Sequence, residues 1–135
     1  MKRSLLRQAL KISRDTLKTH PEYSHYMHWS FLIQKNSLID FDTNDAGEAP
    51  IFYGYRKRVN WSNAKRHSEF NVFRKGRGLL IPNKTFEIIN VRLNKQGQIK
   101  NSAPCSCCVN LLTSLFLCSC VYFTTDEGIW AKTIF

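Results

Sequence analysis

Hydrophobic and polar positions divide the chain into recognisable elements. In residues 2–19, Leu5, Leu6, Ala9, Leu10, Ile12 and Leu17 form one apolar side, while Arg7, Lys11, Arg14 and Lys18 line up on an outer face. This predicts an amphipathic helix, its basic face either solvated or set against phosphate. His20-Pro21 ends it, because the residue before a proline is pushed out of helical geometry. Residues 27–33 and 37–41 read as two strands joined by the polar Gln34-Lys35-Asn36, hence a hairpin. His67 opens a helical segment with Phe70 and Phe73 behind it and Gly76 as a stop. Residues 86–93, with Ile88, Ile89, Val91 and Leu93, predict a central strand, and Asn94-Lys95-Gln96-Gly97 predicts a turn. After Pro104, the spacing of Val109, Leu111, Leu112, Leu115 and Phe116 predicts a buried helix. Residues 121–125 and 129–135 are strand-like, with only Asp126-Glu127-Gly128 between them. So short a link permits an antiparallel hairpin and excludes a parallel crossover.

Together these elements predict one three-layer α/β domain over residues 1–135: a mixed sheet of about five strands flanked by helices. The two helices opened by His67 and Pro104 are expected on one face and the N-terminal helix on the other. Its parts are a basic helix (2–19), a core carrying the candidate site (65–117) and a C-terminal hairpin (119–135).

Composition narrows the functional classes. With 135 residues, 43% hydrophobic and 13% aromatic, the chain can bury a core and is not of disordered type. A net charge of +10 implies an anionic partner. The five cysteines are an odd number crowded into residues 105–120, which does not suit a secreted disulfide framework. Reduced, metal-binding cysteines fit better, and with them a cell interior: cytoplasm, nucleus or the interior of a viral host cell. The first residues lack the apolar run of a signal peptide. The apolar stretch 107–123 is broken by Asn110, Thr113, Ser114 and Ser119 and is too short for a membrane span. No membrane partner is expected.

Chemistry concentrates in residues 65–108. His67-Ser68-Glu69 is an H-x-E pattern, and Pro104-Cys105-Ser106-Cys107-Cys108 is P-C-x-x-C. One imidazole and two thiolates make a tetrahedral zinc site that keeps a position open for water. Zinc lowers the pKa of that water, and a nearby carboxylate that is not a ligand can carry its proton. His67, Cys105 and Cys108 are therefore the candidate ligands of Zn2+, and Glu69 the candidate acid–base. Other readings of the cysteines are a structural four-thiolate site with Cys118 and Cys120, a redox pair, or a hydrophobic cluster. His25 and His28 lie near the first strand, where ordinary packing is the preferred reading and approach to the metal the alternative.

The long segment 42–66 begins acidic and then interleaves Phe52, Tyr53, Tyr55 and Trp61 with Arg56, Lys57, Arg58, Lys65 and Arg66. Aromatic faces stack bases while lysine and arginine meet phosphate, the composition of single-strand binders. Tyr55 and Trp61 are candidate substrate contacts, with Ser102 and Ala103 just before the cysteine motif. The five basic residues from Arg56 to Arg66 are candidate nucleic-acid contacts.

From His67 to the C-terminus, the residues H-S-E-F-N, V-R-L-N-K-Q-G-Q-I-K-N-S-A-P-C-S-C-C and V-Y-F-T-T-D-E-G-I-W-A-K resemble the zinc-dependent cytidine and deoxycytidylate deaminase superfamily. The resemblance is strongest to small viral-type members, and the short C-terminal hairpin is similar to the branch without an inserted helix there. Ser68 stands where that family usually has Ala. The F-x-G-x-N-V-E-N and C-A-E patterns of nucleoside enzymes are missing. The resemblance implies a cytidine deaminase-like fold and a hydrolase that converts cytosine to uracil. It also implies an asparagine, Asn60 or Asn63, that contacts the sugar. The expected substrate is single-stranded DNA or RNA. The alternatives are free cytidine, deoxycytidine or dCMP, or a catalytically inactive, zinc-stabilised nucleic-acid-binding domain.

Overall fold

The computed structural model describes residues 3–19, 26–44, 67–114 and 117–135. The elements are α1 (Arg3–Lys18), β1 (Tyr26–Gln34), β2 (Ser37–Thr43), α2 (Ser68–Gly76), a 3₁₀ turn (Arg77–Leu79), β3 (Phe86–Asn94), β4 (Ile99–Lys100), α3 (Ser106–Ser114), β5 (Cys118–Thr124) and β6 (Trp130–Ile134). They form a mixed six-stranded sheet in the order β2-β1-β3-β5-β6, with β4 paired to β3 off that path. The β3–β5 pair is parallel, and β1–β2, β1–β3, β3–β4 and β5–β6 are antiparallel.

The expected three layers are present. Leu5 and Ala9 of α1 are buried against Met27, Trp29, Phe31, Ile33, Ile89, Val91 and Leu93, all on one face of β1 and β3. Val72 of α2 and Leu112 of α3 are buried against Leu32, Ile88 and Val121 on the other. Side chains alternate across a strand, so two consecutive residues such as Ile88 and Ile89 serve two different cores. Both terminal hairpins are as expected, and β3 is the central strand. Lys35 and Asn36 make the first turn with φ of 50° and 57°, the paired left-handed geometry that matches strand twist. The sheet exceeds the expected five strands by β4, a two-residue strand that pairs Lys100 with Arg92 and Ile99 with Leu93.

Gly76 ends α2 for a reason other than turn freedom. Its φ is −101°, open to any residue. A Cβ there would lie 2.9 Å from Leu32 Cδ2 and 3.3 Å from Asp40 Cβ. The glycine lets the end of α2 press onto the β1–β2 hairpin. Leu115 and Phe116, expected to extend the apolar face of α3, lie outside the described residues, as do His25 and most of segment 42–66. Among the described residues no helix is long and apolar enough to cross a membrane.

Candidate metal centre

Two helix starts meet at one point. His67 caps α2 with extended φ and ψ of −75° and 162°, and its carbonyl accepts the Asn71 amide at 3.1 Å. Its imidazole makes no cap hydrogen bond and meets the two cysteines instead. Cys105 holds the corresponding place at α3, where its carbonyl accepts the Val109 amide at 2.9 Å. The Cys108 amide donates to Cys105 Sγ at 3.4 Å, so sulfur takes the role that a Ser or Asp oxygen fills at most helix starts. Pro104 precedes that cap, where its missing N–H costs nothing.

The three candidate ligands are therefore side by side. His67 Nδ1 is 3.3 Å from Cys105 Sγ and 3.3 Å from Cys108 Sγ, and the three ligand atoms all lie within 4.8 Å of one another. A tetrahedral ion with bonds of about 2.3 Å to sulfur and about 2.0 Å to nitrogen holds such atoms roughly 3.5 Å apart. The spacing and the donor set, one nitrogen and two sulfurs, fit a metal ion of the zinc type. The electrostatics suit the same use. Cys105 is pushed down to about 3, chiefly by its hydrogen bond from Cys108, with burial opposing and the His67 hydrogen bond adding. Burial pulls the His67 imidazole down, but the Cys105 hydrogen bond and negative charge outweigh it and hold the ring above its ordinary value. Cys118 differs: burial lifts its thiol to about 12. Cys118 and Cys120 lie in β5 and do not join the cluster, so the described residues contain no four-thiolate site.

Glu69, two residues beyond His67, is 2% exposed and is not part of the ligand set. Asn90 Nδ2 donates to its Oε2 at 3.0 Å, and Ser68 Oγ donates to its Oε1 at 3.2 Å. Ser30 Oγ is 2.7 Å from Ser68 Oγ and donates to Asn90 Oδ1 at 2.6 Å, closing a ring of four side chains. With an ionised carboxylate the ring has four contacts and three protons: one each from Ser30 and Ser68, and one N–H of Asn90. A proton on Glu69 supplies the fourth. Burial raises the Glu69 carboxyl, and the Cys105 charge pushes the same way against its own backbone amide, His67 and Asn90. A buried carboxyl lifted in this way, beside a metal-ligating cluster, is suited to accept and return protons. Ser68 is thus a structural participant, beyond being small enough to be tolerated.

A cavity of about 260 Å³ adjoins the cluster, lined by His28, Asn44, His67 and Arg92. His28 therefore does approach the site, against the preferred expectation of ordinary packing. It is held down to about 4 by burial, then by the charges of Arg92 and His67, with Cys105 opposing. Asn44 follows β2 and is fixed to His28 by two hydrogen bonds: its amide donates to the His28 carbonyl (3.3 Å), and its Oδ1 accepts from the His28 amide (3.0 Å). Asn71 of α2 donates to the neighbouring Thr43 carbonyl at 2.7 Å.

Of the other expected contacts, Ser102 is fully buried. Its hydroxyl donates to the Asn90 carbonyl at 2.9 Å and meets Thr124 Oγ1 at 2.8 Å, while its carbonyl accepts from Asn90 at 3.1 Å. Ala103 is exposed, its amide donating to Asn101 Oδ1 at 2.8 Å. Tyr55, Trp61, Asn60, Asn63, Arg56, Lys57, Arg58, Lys65 and Arg66 lie outside the described residues. Sequence reasoning missed Ser30, Asn44, Asn90 and Arg92. The signal was polar residues two apart in otherwise apolar strands, His28 and Ser30 in β1 and Asn90 and Arg92 in β3. No known family, curated protein or solved structure matches the chain.

Proposed function

We propose that the protein is a zinc-dependent hydrolytic deaminase that converts cytosine to uracil, acting on single-stranded nucleic acid. One observation carries this reading: an imidazole and two thiolates share one metal-sized site, and a buried carboxyl, Glu69, follows the histidine by two residues. His67, Cys105 and Cys108 would hold the zinc, which would supply a water of lowered pKa.

The chain's own residues supply the rest. Glu69 takes a proton from the attacking water as its oxygen bonds to C4, and delivers that proton to N3. It then carries the remaining proton of the C4 hydroxyl to the amino group, and the C4–N bond breaks as the C4 carbonyl forms, so that cytosine and water give uracil and ammonia. The ring of Ser30, Ser68 and Asn90 keeps the carboxyl in one orientation through these transfers. Asn44 replaces Asn60 and Asn63 as our choice for the sugar contact, because it lines the cavity beside His67. The excess of positive charge and the aromatic–basic composition of residues 52–66 support a polymer substrate.

Free dCMP is the second reading, favoured by Arg92, a cationic residue of the same cavity that would meet a lone phosphate equally well. A zinc-stabilised binding domain without catalysis is the third, and the burial of a carboxyl beside the cluster argues against it. Purified zinc-loaded protein incubated with single-stranded DNA, RNA, deoxycytidine and dCMP, with uracil read for each, tests all three. Uracil in an oligonucleotide, lost in Glu69→Ala, is the expected result. Turnover of dCMP alone would select the second reading, and none in any substrate the third.

A further inference from the structure

The basic face of α1 is not an isolated row of charges. Arg7, Lys11, Arg14 and Lys18 line one cavity of about 360 Å³ along the helix together with Leu10 and Asp15. Arg14 and Lys18 also line a second, of about 320 Å³, with Leu17 and the β3–β4 turn residues Lys95, Gln96 and Gly97. Arg14 and Lys18 border both, so the two hollows adjoin and together carry five cations, and we treat them as one groove. Lys11 is paired with Asp15 at 3.0 Å, which leaves Arg7, Arg14, Lys18 and Lys95 as the cations whose charge no carboxylate lining the groove offsets. All four are exposed. Arg7 to Lys18 spans about 16 Å at the helical rise.

We propose that this groove is a docking site for the sugar–phosphate backbone of a single-stranded nucleic acid, separate from the metal centre. The groove is on the sheet face opposite α2 and α3, because α1 packs on the Met27, Trp29, Phe31 and Val91 face. Its Lys95 end nevertheless lies near the candidate site. Lys95 follows the last residue of β3, and Arg92, which lines the cavity beside His67, is on that strand. A strand held along α1 passes round this end of the sheet towards the cavity.

Nucleic acid fits better than a membrane surface. A membrane-binding helix offers its apolar side to lipid, but Leu5 and Ala9 of α1 are already buried against the sheet. The large exposed hydrophobic residues, Leu79, Ile81, Leu117, Ile129, Ile134 and Phe135, are all outside α1 and the β3–β4 turn. Exposed lysine and arginine along a helix whose Leu10 and Leu17 are half-buried address phosphate in a strand.

This inference does not require deaminase activity, and its test reads binding alone. A fluorescent single-stranded oligonucleotide is titrated with the full chain, zinc-loaded, across a series of salt concentrations, for wild type and for Arg14→Gln/Lys95→Gln. Each single-strand phosphate contact contributes about 0.7 to the slope of log K against log salt. The double variant should lose about 1.4 from that slope and bind roughly tenfold more weakly at physiological salt. Both positions are exposed, so the variant's melting curve and zinc content should match wild type, and dCMP turnover, where present, should be unchanged. Unchanged affinity and slope would overturn the proposal. So would unaltered oligonucleotide binding alongside a loss of binding to phosphatidylserine vesicles, which would give the groove to a membrane.

Discussion

The same two strands, β1 and β3, build opposite chemistries on their two faces. On the α1 face the register pairs are Phe31 with Ile89, Trp29 with Val91 and Met27 with Leu93, and all six side chains are buried. On the other face the pairs are Leu32 with Ile88, Ser30 with Asn90 and His28 with Arg92. That face starts apolar under α2 and α3, becomes a buried hydrogen-bonded ring, and ends at polar groups lining the cavity beside His67. One face stabilises the domain by apolar burial, while the other exchanges apolar for polar buried residues, two at a time, to place a carboxyl. Polar groups in a core cost free energy unless every donor and acceptor is met, so a four-membered ring at this place points to a use.

The largest effect should come from breaking the site face at its ligands. Cys105→Ser or Cys108→Ser should abolish zinc binding, read as metal per chain after gel filtration, and abolish deamination with it. The α1 face should be untouched, so α1 and the sheet should persist in circular dichroism unless zinc is needed for folding. Zinc retained in either variant would remove the ligand assignment. The reverse break is Phe31→Ala. Phe31 is fully buried and stacks on Phe41 at 5.4 Å. Its truncation should cost about 3–5 kcal/mol in denaturant unfolding, with zinc content unchanged in the folded fraction. A loss of zinc affinity in that fraction would show that the two faces are not separable.

These faces were unequally legible in the sequence. Apolar periodicity placed α1, the hairpins, the central β3 and both site helices, because burial against one partner leaves a simple repeat. The metal cluster was legible in its parts: Cys105 and Cys108 share one helix start, which fixes their relation locally, and His67 was marked by the H-x-E pattern, while the meeting of the two helix starts is tertiary. The ring was not legible: Ser30, Ser68 and Asn90 come from three elements and meet only through the β1–β3 register and the seating of α2. His28 and Arg92 became neighbours through the same register, and β4 is too short to show any periodicity.

Within the ring, two substitutions sharpen the comparison at smaller scale. Ser68→Ala leaves Glu69 Oε1 without its donor, and Ser30→Ala leaves Asn90 Oδ1 without its donor, so each should cost about 1–3 kcal/mol. If the ring positions Glu69, both should lower kcat more than they raise KM. Equal, purely destabilising effects with unchanged kcat would reduce the ring to packing.

A further test is a pH dependence confined to the site face. His28 is held down to about 4, chiefly by burial, against an ordinary value of 6.5. In the unfolded chain the imidazole takes a proton below about 6.5, whereas in the folded protein it resists until about 4. The stability that its neutral form contributes is therefore complete above 6.5 and lost as pH falls through the window down to about 4. Between pH 7 and pH 5 the loss is at most about 2 kcal/mol. Glu69, raised by burial, works in the opposite sense, with stability gained as pH falls towards its ordinary range. Comparing wild type with His28→Asn by urea unfolding at both pH values isolates the histidine, since Glu69 is common to the two proteins. The variant should lose less stability on acidification than wild type does. An identical loss in both would mean that His28 is solvated and sits outside the polar end of the face, and the gradient from Leu32 to Ser30 would stop one pair short of the cavity.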